Sequence, residues 1–127
     1  MAIIHGRAKR KITGGVNTSA FTKRLHALGR SPSYTKVGKK RVLDLRVRGG
    51  TSKKVLLSMD VINVYDPAEK KYKQLKIKSV IESPANRNFV KRNIITKGSL
   101  VETEEGRVKV TSRPGQESYI NGILLKK

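Results

Sequence analysis

The distribution of charge is the feature that most restricts what this chain can fold into. Its first 43 residues contain no carboxylate, because the first acidic residue is Asp44, and they carry eleven lysines and arginines. Glycines and Pro32 interrupt every apolar cluster in this stretch, so it repels itself and has too few apolar residues to build a core. We therefore predict that residues 1–40 form an extended basic arm, largely disordered alone, that requires a polyanion to neutralise it.

The remaining residues have a more balanced charge and a different hydropathy pattern. Residues 44–127 hold the other 18 basic and all 9 acidic residues, a mixture typical of a solvated surface. From residue 41 the pattern has a period of two. Leu43, Leu45 and Val47 alternate with polar residues, which predicts a strand with one buried face. Gly49 and Gly50 then predict a tight turn.

Further short β-rich segments follow, separated by turn residues. They cover residues 54–59, 61–65, 72–81, 94–96, 99–103, 107–111 and 119–125. Ser83 and Pro84 predict the start of a helix over residues 84–92, and a second short helix is predicted over residues 20–28 in the arm. Because closure of a sheet removes exposed edges, the pattern predicts an all-β fold for residues 41–127. We expect a small β-barrel of short antiparallel strands with one short helix, preceded by the extended basic arm.

Several classes of function are disfavoured by the residues themselves. The chain has no cysteine, which excludes a disulfide scaffold, a thiolate metal site and a cysteine nucleophile. No apolar stretch approaches the roughly 20 residues of a membrane-spanning helix, so we expect a cytoplasmic protein with no membrane partner. Glu102, Glu104 and Glu105 are read as turn residues and not as a metal cluster, and no phosphate-binding glycine loop is present. We expect no cofactor, no metal, no small-molecule substrate and no enzymatic activity.

One catalytic alternative uses the two histidines. His5 and His26 have the chemistry of a general acid and base in a phosphodiesterase, but that reaction needs both held on a rigid frame. Both lie in the arm, so this hypothesis ranks last.

The chemistry that the sequence does supply is phosphate binding. Lysine and arginine neutralise phosphates, and the flat guanidinium grips phosphate with two bonds or stacks on a base. We predict RNA contacts by the basic residues of the arm, of the first strand and its turn, and of later element ends. They are Arg7, Lys9, Arg10, Lys11, Lys23, Arg24, Arg30, Lys36, Lys39, Lys40, Arg41, Arg46, Arg48, Lys91, Arg92 and Arg113. The four tyrosines are expected to pack against the core or strand edges, not to stack on bases.

Ordered blocks along the chain resemble a known family. They are Gly6-Arg7, residues 10–15 (RKITGG), residues 28–32 (LGRSP) with Thr35-Lys36, residues 46–50 (RVRGG), residues 81–87 (IESPANR), residues 94–98 (IITKG) and residues 110–116 (VTSRPGQ). Together they are similar to the archaeal form of the small-subunit ribosomal protein family eight-e, over nearly the whole chain. The resemblance implies a β-barrel body and an amino-terminal extension threaded into ribosomal RNA.

On this resemblance we expect a structural constituent of the small ribosomal subunit in the cytoplasm. Its expected partners are small-subunit ribosomal RNA and neighbouring small-subunit proteins, and no homo-oligomer is expected. Two alternatives remain: a ribosome biogenesis factor that binds precursors transiently, and a chromosomal DNA-binding protein.

Overall fold

The computed structural model describes residues 8–18 and 24–125. The chain divides into two compact units, with the boundary between Pro32 and Ser33. The carboxyl-terminal unit therefore begins before residue 41, where the sequence predicts the barrel domain to start. Residues 33–40 belong with it because Thr35 Oγ1 donates to Leu56 O at 2.8 Å and Ile95 N donates to Thr35 O at 2.8 Å.

The regular elements of the described residues are seven strands, one α-helix and two 3-10 turns. The 3-10 turns are Leu25–Ala27 and Arg48–Gly50, the helix α1 is Asn88–Lys91, and the strands are β1 Arg41–Arg46, β2 Ser52–Ser58, β3 Val61–Asp66, β4 Lys71–Glu82, β5 Leu100–Thr103, β6 Arg107–Val110 and β7 Asn121–Leu124. The predicted all-β class and the single short helix in the barrel unit are confirmed.

Strands β3 to β7 close into a five-stranded barrel. Four of the strand pairs are antiparallel, as predicted, and β3 pairs with β7 in parallel, with Asn63 opposite Asn121. Strand β4 is longer than its neighbours. It pairs with β3 along its first half and with β5 along its second half. Irregular register between Ile77 and Ser79 and between Val80 and Glu82 accompanies this change of partner, as expected where a strand bends to close a barrel.

The barrel core is apolar. It consists of Leu56, Ile62, Val64, Leu75, Ile77, Val80, Ile95, Val101, Val108, Val110 and Ile120. Gly122 permits close packing of β7, since a Cβ there would overlap Val108 Cγ1 and lie 3.0 Å from Ile62 Cδ1. Every buried side-chain nitrogen or oxygen of the described residues has a hydrogen-bond partner, so the core contains no polar defect.

Strands β1 and β2 form a separate two-stranded sheet outside the barrel. The predicted buried face of β1 is wrong: Leu43 is 42% exposed, and Leu45 is only half-buried. The reason is that β1 pairs with β2 alone, while the buried residues of this hairpin, Val55 and Leu56, belong to β2. The predicted turn is present, and its glycines adopt φ values of +74° and +78° that favour residues without a Cβ.

Three local predictions need correction. Helix α1 starts at Asn88, not after Ser83, because the buried Ser83 hydroxyl lies 3.4 Å from Thr96 Oγ1 instead of capping a helix. Residues 94–96 do not form a strand; Ile94 makes one isolated bridge to Lys36. Within the predicted helix over residues 20–28, the described part contains one 3-10 turn, and residues 20–23 lie outside the described residues.

Candidate nucleic-acid interface

A tight turn carries the first group of predicted cations. Lys11 N donates to Gly15 O at 2.8 Å, Gly14 N donates to Lys11 O at 3.0 Å, and Gly14 has a φ of +82°. The Arg10 guanidinium donates to Gly14 O at 2.8 Å, which uses one of its five N–H donors to hold the turn. Lys9, Arg10 and Lys11 are all exposed. The turn thus presents three cations within a hydrogen-bonded loop.

The other predicted cations of the amino-terminal unit are less informative. Arg24 and Arg30 are exposed on either side of the 3-10 turn Leu25–Ala27. Arg7 and Lys23 lie outside the described residues.

The fold brings together two predicted groups that are far apart in the sequence. Val37 N donates to Asn93 O at 3.2 Å, and Lys36 is bridged to Ile94, so residues 36–41 lie beside the end of α1. Ser58 Oγ donates to Lys39 O at 2.6 Å and fixes the same segment against β2. We call the exposed cations gathered here the junction cluster. It consists of Lys36, Lys39, Lys40, Arg41, Lys91 and Arg92.

A second group surrounds the β1–β2 hairpin. Arg46 ends β1, and Arg48 lies in the turn, where Thr51 Oγ1 donates to Arg48 O at 3.3 Å. The loop that contains Arg113 reaches β2, since Leu56 N donates to Pro114 O at 3.0 Å. We call the set of basic residues here the hairpin cluster. It consists of Arg46, Arg48, Lys53, Lys54 and Arg113.

Two members of the hairpin cluster are absent from the predicted set of RNA-contact residues. Lys53 and Lys54 pair across the hairpin with Leu45 and Asp44, and Lys53 Nζ donates to Gln116 Oε1. The signal that predicts them is their position in the return strand, directly after the glycine turn that carries Arg48. Residues 36–60 contain eight cations and two carboxylates, a net charge of +6.

Carboxylates gather at a different place, the turns at one end of the barrel. Lys73 Nζ lies 3.3 Å from Glu105 Oε2 and 3.4 Å from Glu69 Oε2. Hydrogen bonds from Glu105 first and Glu69 second raise the pKa of Lys73 above its ordinary value. None of the predicted RNA-contact residues takes part in these two ion pairs. Every predicted RNA-contact residue within the described ranges is exposed.

The described residues contain little that suggests another chemistry. In the ranges 8–18 and 24–125, no three histidines, cysteines or carboxylates come together as metal ligands. Over the same ranges, no helix has the length and apolar character needed to cross a membrane. His26 lies in the first 3-10 turn, and His5 is outside the described residues.

The fold and the exposed cations define a class: small, strongly basic β-barrel proteins with the charge footprint of nucleic-acid binders. The family model described as ribosomal protein S8e matches residues 4–125. The chain belongs to the ribosomal protein S8e family, a family of structural ribosomal proteins and not of enzymes. This membership confirms the resemblance read from the sequence and agrees with the predicted location in the cytoplasmic ribosome.

Archaeal relatives match over 95–100% of their length. The chain is 47% identical to the small ribosomal subunit protein eS8 of Nanoarchaeum equitans over 122 residues, covering 95% of each chain. It is 47% identical to the protein of that name from Methanobrevibacter smithii over 125 residues, covering 98% of this chain and 100% of the relative. The protein of that name from Sulfolobus acidocaldarius is 47% identical over 127 residues, with 99% of each chain covered.

Proposed function

We propose that this protein is a structural constituent of the small ribosomal subunit that binds small-subunit ribosomal RNA through its basic residues. Cations within residues 1–40 supply most of the contacts, and residues 41–127 present further cations from the hairpin and the barrel loops. Its other partners are neighbouring small-subunit proteins, and the chain acts as a single copy.

The observation that carries the proposal is the gathering of cations in a member of a ribosomal protein family. Val37 and Asn93 are 56 positions apart in the chain, yet Val37 N donates to Asn93 O and Lys36 is bridged to Ile94, which brings the basic segment 36–41 next to the segment that follows Lys91-Arg92. Concentrated positive charge on one surface raises the local potential and releases counterions when it meets phosphates. A chain that needed charge only for solubility would not require such an arrangement.

Recognition of this kind depends on the shape and backbone of the RNA. Folded RNA presents phosphates along crooked paths between helices, and flexible lysines with intervening glycines can follow them. The cations of the turn over residues 9–17 are preorganised by backbone hydrogen bonds, which lowers the ordering cost of binding.

Gradient fractionation of a cell lysate at high salt tests the ribosomal role. We expect the chain to travel with small subunits after a high-salt wash. Chain found at the top of the gradient, or with large-subunit precursors only, would contradict the proposal, and the second result would favour a biogenesis factor.

A salt titration of binding to small-subunit RNA tests the arm. Replacing Arg10 and Lys11 with Ala should flatten the slope of log affinity against log salt by roughly one to two units, because each lost phosphate contact removes about 0.7 to 0.9. The matched control is Lys78→Ala with Lys97→Ala, which removes the same charge from exposed positions outside the predicted set. Equal slopes for both double variants would exclude a special role for the arm, and a preference for duplex DNA at matched salt would favour a chromosomal protein.

A further inference from the structure

The outer face of the barrel contains a groove that is lined by no residue of the two basic clusters. It lies where β7, β3 and β4 run side by side and has a volume of about 610 Å³, within the range of small-ligand sites. The side chains that define it project from these three strands. They are Asn63, Tyr65, Tyr72, Gln74, Asn121 and Ile123.

Strand register places these side chains in two parallel rows. In the first row Tyr65 lies opposite Tyr72 on β4 and beside Ile123 on β7. In the second row Asn63 lies opposite Gln74 and beside Asn121. Alternate residues of a strand share one face, so the apolar row and the amide row are neighbours on the same surface.

The apolar row exposes an aromatic ring. The centroids of Tyr65 and Tyr72 are 5.0 Å apart with their planes at 43°, and Tyr72 is 80% exposed. Tyr72 therefore does not pack into the core, and its contact is with Tyr65 on the adjacent strand. Tyr65 supports one side of the Tyr72 ring, and the rest of that ring is open to a partner.

The amide row supplies hydrogen-bonding groups beside the ring. Asn63 Nδ2 donates to Asn121 Oδ1 at 3.2 Å, which orients the two amides. Each amide has two N–H donors and an acceptor oxygen, so this pair keeps donors and an acceptor for a ligand. Gln74 is exposed at the end of the row. Amide groups next to an aromatic ring suit the edge and the face of a nucleobase.

The charge around the groove indicates which kind of ligand fits it. Lys109 lies in register with Ile123 and extends the apolar row, and Lys76 pairs with Val61 in the next row beyond the amides, so an exposed lysine lies at each of these two places. The acidic residues near this end, Glu69 and Glu105, are paired with Lys73. A flat, polar-edged group that carries a phosphate is complementary to such a surface, since it uses the ring, the amides and the lysines together.

We propose that this groove binds one unpaired nucleotide of RNA, with its base stacked on Tyr72, its edge at the amide row and its phosphates near Lys76 and Lys109. The inference rests on the proposed RNA-binding function and extends it from backbone recognition to the capture of a single base. It predicts that part of the affinity for single-stranded RNA depends on the base and not on the backbone charge.

The test compares two fluorescently labelled oligonucleotides with the full chain by anisotropy. One is a short oligoadenylate RNA, and the other has the same backbone with abasic riboses. We expect the oligoadenylate to bind more tightly than the abasic strand. Tyr72→Ala should weaken oligoadenylate binding by about 5- to 100-fold, the usual effect of losing one stacked base, and leave abasic binding unchanged.

Three further variants separate stacking from a structural effect. Tyr72→Phe keeps the ring and should retain the base-dependent affinity, and Tyr119→Ala, which removes a tyrosine that is 46% exposed elsewhere, should also retain it. Gln74→Ala leaves the ring pair in place and should weaken oligoadenylate binding without affecting the abasic strand. An equal loss on both strands for Tyr72→Ala, or no loss on either, would overturn the inference.

Failure of this inference is distinguishable from failure of the proposed function. If oligoadenylate and abasic strands bind equally while the salt slope on small-subunit RNA and the migration with small subunits persist, only the base site is refuted. Competition by an oligoglutamate peptide as strong as that by the abasic strand, with no effect of Tyr72→Ala, would show that binding depends on charge alone and would also refute the base site.

Discussion

Strand β1 of the hairpin and strand β6 of the barrel have a similar sequence pattern and opposite environments. Leu43 and Leu45 of β1, and Val108 and Val110 of β6, each alternate with charged residues. In β6 the apolar side chains are buried, whereas β1 is exposed along most of its length. The difference shows that alternation determines which side chains share a face, while burial requires a second layer to cover that face.

The hairpin and the barrel also differ in their expected roles. The barrel closes on itself, satisfies its buried polar groups and supplies the stable frame. The hairpin has little core of its own and a high density of cations, so we expect its order to depend more on what it contacts. We therefore expect substitutions in the barrel to change stability and substitutions in the hairpin to change RNA binding.

The largest contrast is expected for a buried and an exposed apolar residue. Ile62 in the barrel is fully buried, and Leu43 in β1 is 42% exposed. Ile62→Ala should lower the free energy of unfolding by about 2–5 kcal/mol, through lost burial and the cavity left behind. Leu43→Ala should lower it by less than about 1 kcal/mol. Urea denaturation of both variants measures the difference, and similar losses would mean that β1 is covered in solution.

The next effect concerns the closure of the barrel. Gly122→Ala should destabilise the protein by about 1–3 kcal/mol, because the added methyl group overlaps Val108 and crowds Lys109 O. The control is Gly15→Ala, where the nearest atom to an added Cβ is Thr13 Oγ1 at 3.7 Å and little change is expected. Thermal unfolding followed by circular dichroism provides the measurement. Equal midpoints for the two variants would show that β7 does not pack as closely as described.

The hairpin cations should affect binding and not stability. Lys53→Gln with Lys54→Gln should change the free energy of unfolding by about 0.5 kcal/mol or less, as for most surface substitutions. The same pair should reduce the salt slope of RNA binding by roughly one to two units. Filter binding over a range of salt concentrations tests this, with Lys78→Gln and Lys97→Gln as the charge-matched control. A slope equal to that of the control pair would show that these hairpin lysines do not contact the RNA.

The smallest effect is expected from the exposed ion pairs of the barrel. Both carboxylates raise the pKa of Lys73, so this lysine is fully protonated at neutral pH and its stabilising effect is lost only as the pH rises through the raised value. Glu105→Gln should lower the melting temperature slightly at low ionic strength, and high salt should abolish the difference by screening. A difference that persists in high salt would indicate a packing effect instead of an electrostatic one.

Much of the fold follows from local pattern. The period-two segments, the Gly49-Gly50 turn and the turn residues between the later strands predict most strand positions within a few residues. The start of α1 was not predictable because Ser83, a good capping residue, is buried beside Thr96 by the tertiary fold. The strand predicted over residues 94–96 fails for a similar reason, since those β-prone residues are held by single contacts to Thr35 and Lys36 and not by a neighbouring strand.

The candidate site was predictable to a similar degree. Lysines and arginines in acid-free clusters are visible in the sequence, and these identify the turn over residues 9–17 and both ends of β1. Lys53 and Lys54 were not predicted to contact RNA because in the sequence they resemble ordinary solvent-facing strand residues. Only the pairing of β2 with β1 places them beside Arg46 and Arg48. The base-stacking role proposed for Tyr72 was also not predictable, because the ring pair depends on the register between β3 and β4.

The charge asymmetry, the β class and the family follow from the amino-acid sequence, because composition, period and ordered motifs are properties of the chain. The tertiary structure was needed to show which alternating strands are covered, which distant cations become neighbours and where two tyrosines meet beside a row of amides. The physical reason is that these features depend on pairings between residues far apart in the sequence, above all the parallel pairing of β3 with β7 that closes the barrel.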